Sequence, residues 1–131
     1  PFLRDYLGAR MEHAHIDLRY VLAALGLKGG LKQCERALGI DREDLADVDG
    51  YFAVLLWYDF FNNGNRRALE TLLAYNMLDV INLATLMVEA YNRNVAATPF
   101  ADVLKLRAPT PPALPFEPHL PTIERLRRRL F

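Results

Sequence analysis

A mostly α-helical single domain with a proline-rich tail is the fold that this sequence predicts, on three observations. Apolar residues recur at helical spacing through most of the first 94 positions, best of all in 50–61 and 66–93. Only one stretch, residues 13–16, alternates in the manner of a strand. Every proline except Pro1 falls within residues 99–121, a stretch that can sustain neither helix nor central strand. At 131 residues, 52% of them hydrophobic, the chain is large enough for one core and too small for two.

Each element follows from local signals. In "PFLRDYLGARM", Phe2, Leu3, Tyr6 and Leu7 share one helical face, and Pro1 suits a first turn. "HAHIDL" is too short for a helix, so 13–16 is expected as a short strand or extended link. Asp17 is an N-cap for "LRYVLAALGL", whose pattern runs to Gly26; Gly29 and Gly30 punctuate it. "LKQCERALGI" predicts a second short helix ended by Gly39. The acidic stretch Asp41 to Asp49 reads as a loop with room for one helical turn.

A helix from about Gly50 to Phe61 carries Tyr51, Val54, Leu55, Trp57 and Tyr58, and "NNGN" stops it. Asn65 caps the longest helix, about 66–93. Leu69, Leu72, Leu73, Asn76, Val80, Leu83, Leu86 and Met87 are expected along its buried side. The prolines then predict an extended strap over 95–121. Residues 122–131 resume a short amphipathic helix with Ile123, Leu126, Leu130 and Phe131 on one face, and no internal repeat is visible.

Composition excludes several classes. Lysine plus arginine and aspartate plus glutamate balance at 16 each, so no global field announces nucleic acid and no acidic excess announces disorder. A lone cysteine, Cys34, forms no internal disulfide, and no secretory leader pattern is present, so a cytoplasmic setting is expected. No apolar run reaches the length of a membrane span, so no membrane partner is expected.

The chemistry concentrates in "LLAYNMLDVINL", residues 72–83. Tyr75 and Asp79 stand four apart, so a phenol and a carboxylate project from one helical ridge toward one point. Such an edge can bind a hard divalent cation through the carboxylate while the hydroxyl orients a water. The bland reading has Tyr75 packing sideways and Asp79 reaching solvent or capping a neighbouring helix.

Segment order favours the first reading. The runs "HIDLRYVLAALGLKGGLKQCERALGI", "DVDGYFAVLLWYDFF" and "RRALETLLAYNMLDVINLATLM" resemble the YprB-type ribonuclease H-like proteins of the DnaQ exonuclease superfamily, over about residues 1–93. The resemblance implies an α/β ribonuclease H-like fold, of which residues 1–94 are the C-terminal helical part without the N-terminal core β-sheet. It also implies a Mg²⁺- or Mn²⁺-dependent 3′-to-5′ exonuclease acting on DNA or RNA through a two-metal site. In that family the last catalytic motif is Tyr-x-x-x-Asp, which places Asp79 as a metal ligand and Tyr75 as the residue that positions the attacking water.

Two departures qualify this. Leu78 stands where the family usually carries a glutamate, on a different helix face from Asp79. The family's first motif, Asp-x-Glu on its first strand, and its second, Asn…Phe-Asp, have no counterpart here. Two metal ions need several converging carboxylates, so the isolated piece, lacking three of four expected acidic ligands, is expected to be inactive. Association with a missing N-terminal segment, or a homodimer, would cover its apolar face.

Other candidates read as structural. Asp17 is a cap before it is a ligand; His13 and His15 lack third and fourth zinc ligands; Cys34 is a small core residue. Asp47 and Asp49 make a local acidic loop with at most a weak metal role. Asp59 reads as part of a solvated face, as do the arginines at 125 and 127–129, which could otherwise meet phosphates.

A non-catalytic helical module is the alternative, binding protein or, in helix-turn-helix fashion through "LKQCERALGIDREDLADVDG", DNA. Against the latter, Glu35 stands where close helix packing favours a small residue, and Glu43, Asp44, Asp47 and Asp49 would repel phosphates.

Overall fold

The computed structural model describes residues 2–129, apart from the side chain of Phe2. Pro1, Leu130 and Phe131, expected in a first turn and on a terminal apolar face, lie outside the described residues. The helices are α1 (Phe2–Leu7), α2 (Leu18–Ala24), α3 (Leu31–Ala37), α4 (Gly50–Asn63), α5 (Arg66–Ala96), α6 (Ala101–Leu104) and α7 (Leu120–Arg127). A 3₁₀ turn, Glu43–Leu45, interrupts the acidic loop.

The expected α/β fold class is corrected: no strand occurs among the described residues. Residues 13–16 are exposed irregular backbone, since an alternating tetrapeptide needs a neighbouring strand to accept its ladder bonds and none lies beside it.

Helix ends follow the local chemistry closely. The Asp17 side chain accepts from the Arg19 amide at 3.0 Å, Asp49 from the Phe52 amide at 2.8 Å, and Asn65 from the Arg67 amide at 3.1 Å. Gly64 closes α4 in the left-handed region at φ 65°, where a side chain would be strained. That tight link folds α4 and α5 into a helical hairpin.

The 31-residue α5 is the spine of two apolar cores. Its first half meets α4 and α7 around Leu45, Val48, Phe52, Leu56, Ala68, Ala74, Ile123 and Leu126, with Tyr75 and Leu78 packed alongside. Its second half meets α2 and α3 around Leu22, Cys34, Leu86 and Ala90. The buried positions of α5 are Ala68, Thr71, Ala74, Asn82, Leu86 and Ala90, mostly small residues that let neighbouring helices come close. This corrects the expected stripe: Val80 and Leu83 are 67% and 42% exposed, and Asn76 is also exposed, because no element covers that side of the helix. By length and composition α5 could also cross a membrane, contrary to the expectation that no run would.

The tail is fastened. Asn92 and Leu106 exchange two hydrogen bonds, Asn92 Nδ2 to the Leu106 carbonyl at 2.9 Å and the Leu106 amide to Asn92 Oδ1 at 2.8 Å. The His119 amide donates to Thr71 Oγ1 at 2.9 Å, which sets α7 down on the hairpin. Arg125 then reaches Asp59, and Arg127 Nη2 lies 2.7 Å from Asp47 Oδ2. Asp59 is therefore not part of a solvated face: it is buried and also accepts from Asn63 and Asn65. The expectation erred because the basic side chain that neutralises it lies 66 positions away in sequence.

Burial alone would raise the Asp59 pKa, but the bonds from Arg125, Asn63 and Asn65 outweigh it and hold the group below its ordinary 3.8. A depressed folded-state pKa contributes stability that is present above the unfolded value and lost as pH falls through the folded one. Urea titrations of wild type and Asp59→Asn are expected to show a wild-type advantage that is constant at neutral pH and shrinks as pH drops below 3.8.

Candidate functional site

Between the two cores, α5 presents Tyr75, Asp79 and Asn82 to a segment that runs from α3 to the 3₁₀ turn. The i, i+4 spacing puts the phenol and the carboxylate together, as the sequence requires. Burial raises the Tyr75 pKa, and the adjacent Asp79 charge and hydrogen bonding to it raise it further, against a smaller opposing effect from Arg42. The phenol accordingly stays a hydrogen-bond donor.

Asp79 does not face open solvent alone. Arg42 Nη1 lies 2.7 Å from Asp79 Oδ1, an ion pair between a side chain 5% exposed and one 31% exposed. Arg42 is itself gripped from the other edge: Nε and Nη2 donate to Glu35 Oε2 at 2.5 Å and to Oε1 at 2.8 Å. Asn82 Nδ2 donates to the same Glu35 Oε1 at 2.8 Å. The guanidinium also stands 5.8 Å from the Tyr75 ring centroid, within the range of a cation–π contact. Burial pulls the Arg42 pKa down, but the hydrogen bonds to Glu35 and the negative charge of the facing Asp79 outweigh it and leave it raised.

This geometry bears on the divalent cations that the resemblance implies. Asp79 Oδ1 is a buried atom with no aligned hydrogen bond, and its near neighbour is a cation of the chain itself. Among the described residues no group of three or more histidine, cysteine, aspartate or glutamate side chains could hold a metal ion. The described residues by themselves therefore do not fit a two-metal centre.

The remaining candidates are dispersed. Asp17 and Asp49 are helix caps, and Asp47 is paired with Arg127. His13 and His15 are exposed, His15 Nε2 lying 3.2 Å from the Met11 carbonyl oxygen. Cys34 is buried and its Sγ donates to the Leu27 carbonyl. Arg128 and Arg129 are exposed, whereas Arg125 and Arg127 are held by aspartates. Of the cations in the helix-turn-helix-like segment, Arg42 is buried in the ion pairs, and Lys32 Nζ donates to the Ala46 carbonyl at 3.2 Å.

Glu35, Arg42 and Asn82 escaped the sequence reading as members of this cluster. One signal was available. Glu35 falls in the apolar stripe of α3 with Leu31, Cys34 and Leu38, and Asn82 falls in the stripe of α5 with Leu78 and Leu86; an acid and an amide at core positions demand partners.

Comparison with known proteins adds the class. A family model described as the RNase_H superfamily matches residues 1–91, which include Glu35, Arg42, Tyr75, Asp79 and Asn82. No curated protein and no solved structure matches the chain. The matched span is well over half of the 131 residues, and the chain belongs to the RNase_H superfamily as a nuclease-like domain.

Proposed function

We propose that the chain supplies the Tyr-x-x-x-Asp side of a 3′-to-5′ exonuclease site for single-stranded DNA or RNA. The observation that carries this reading is the pairing of Tyr75 and Asp79 on one ridge of α5, inside the span matched to the RNase_H superfamily. The phenol keeps its proton and can donate it in a hydrogen bond to a water or a phosphate oxygen. Asp79 can accept from that water through the carboxylate oxygen that Arg42 does not hold. Mg²⁺ or Mn²⁺ enters this reading only where further carboxylates, beyond the described residues, stand beside Asp79. No metal-borne step is assigned to the chain by itself.

The test compares end-labelled single strands in Mg²⁺ or Mn²⁺. The chain by itself is expected to leave them intact. In a nuclease-active polypeptide that contains the chain, Asp79→Asn is expected to lower the rate by about 100-fold or more. Activity that is indifferent to Asp79→Asn would overturn the assignment.

A further inference from the structure

The core takes one side of α4, through Phe52, Leu56 and Asp59, and leaves the other side to solvent. Positions 51, 54, 58 and 61 recur at three- and four-residue spacing, so Tyr51, Val54, Tyr58 and Phe61 share that outer side, with Trp57 beside them. All five are exposed, the aromatic ones between 45% (Trp57) and 70% (Phe61). The Trp57 and Phe61 rings stack with centroids 6.1 Å apart and planes at 24°, so the two present one joint apolar surface. The one charged side chain of α4, Asp59, is turned inward to Arg125, Asn63 and Asn65.

A face without charge selects among occupants. A nucleic acid needs cations opposite its phosphates; α4 supplies none, and Glu43 and Asp44 just ahead of it repel them. A second copy of the chain needs a surface that can meet itself, and an uncharged one does so without burying like charges. Tyrosine, tryptophan and phenylalanine without ionised groups is also the composition of the centre of a protein–protein interface. At roughly 150–250 Å² per aromatic side chain, more than half of it exposed on average, the four rings offer about 450 Å² per copy and about 900 Å² per pair. Val54 and the flanks of the helix bring a pair to the roughly 1,000 Å² that a specific interface requires.

The two ends of α4 set the direction. Glu43 and Asp44 precede it and Arg66 follows it; all three are exposed, and none has an ion pair among the described residues. Parallel pairing would bring acid to acid and arginine to arginine. Antiparallel pairing turns Arg66 of each copy toward the acidic turn of the other, and it separates the two acidic turns by about 21 Å, the length of a 14-residue helix.

We propose that α4 is a homodimerisation helix: two copies pair their aromatic faces antiparallel about a two-fold axis, with Val54 of one opposite Tyr58 of the other and Phe61 opposite Tyr51. Valine is the one small residue of the face and leaves room for the facing tyrosine. The pairing is independent of the hydrolytic reading, and the loss of either leaves the other standing.

Light scattering of the full chain over a concentration series tests this. The mass is expected to rise from the 15.0 kDa of one chain toward twice that value, with a dissociation constant in the micromolar range. Trp57 is the sole tryptophan, so its emission is expected to shift to the blue over the same range as pairing takes the indole out of water. Val54→Glu and Tyr58→Lys change exposed positions, so circular dichroism is expected to stay unchanged, while each raises the dissociation constant about tenfold or more. Mixed together, the two variants are expected to regain the two-copy mass, because antiparallel pairing sets the introduced acid opposite the introduced base. Arg66→Glu is expected to weaken pairing in low salt and to matter little in high salt.

A one-chain mass at every concentration up to about 1 mM would overturn the proposal. So would a two-copy mass indifferent to Val54→Glu and Tyr58→Lys, or variants that remain single when mixed. A one-chain mass combined with quenching of Trp57 emission by a single-stranded oligonucleotide would overturn it in favour of nucleic acid as the occupant of this face.

Discussion

Arg42→Met is expected to destabilise the chain by about 3–5 kcal/mol in urea denaturation, the loss typical when one member of a buried ion pair is removed. Glu35 is 1% exposed and receives three hydrogen bonds, two of them from Arg42. Without the guanidinium, one amide of Asn82 remains to a carboxylate shut away from water, and that orphaned charge accounts for most of the loss. The double change Glu35→Leu/Arg42→Met replaces the pair by apolar side chains of similar bulk and is expected to recover most of the stability. A double variant as unstable as Arg42→Met would mean that the tie between α3 and α5 depends on charge in a way that burial alone does not explain.

Leu86→Ala comes next in size, at about 2–5 kcal/mol. Leu86 is completely buried where α5 meets α2 and α3, and the cavity would be lined by Ala90 of the same long helix and by Leu22 and Cys34 of the short α2 and α3, which cannot close it without shifting. Since α5 serves two separate cores, the loss has a place as well as a magnitude. Hydrogen exchange is expected to accelerate first in α2 and α3, while the α4 amides packed around Leu56 keep their protection. Uniform acceleration through α4 would show that the two cores melt as one.

Much of this structure is legible in the sequence wherever a local rule decides. Asp17 and Asn65 are visible caps, and the αL glycine at 64 sits between two helical patterns that end where the backbone turns. The boundaries of α4 and α5 extend only two or three residues past the expected ones, at Asn63 and Ala96. Cys34 reads as a small core residue and is one.

What misleads is long-range pairing and helix coverage. Asp59 looks solvated in its own helix and is buried because Arg125 folds back onto it. Val80 and Leu83 look like core, yet the side of α5 that carries them has no neighbour, and the burial goes to alanines instead. Of the short strand or extended link expected at 13–16, the strand fails for want of a partner and the segment is a link. The site is half legible: spacing along one helix gives Tyr75 and Asp79, whereas the cation that faces Asp79 comes from a loop 37 positions earlier and is invisible to periodicity.

The Arg42–Asp79 contact is the centre on which the site turns. Completing the stability measurements with Asp79→Asn and Arg42→Met/Asp79→Asn gives a double-mutant cycle for that contact. A favourable coupling of about 1–3 kcal/mol is the predicted result, and additivity within about 0.5 kcal/mol would contradict it.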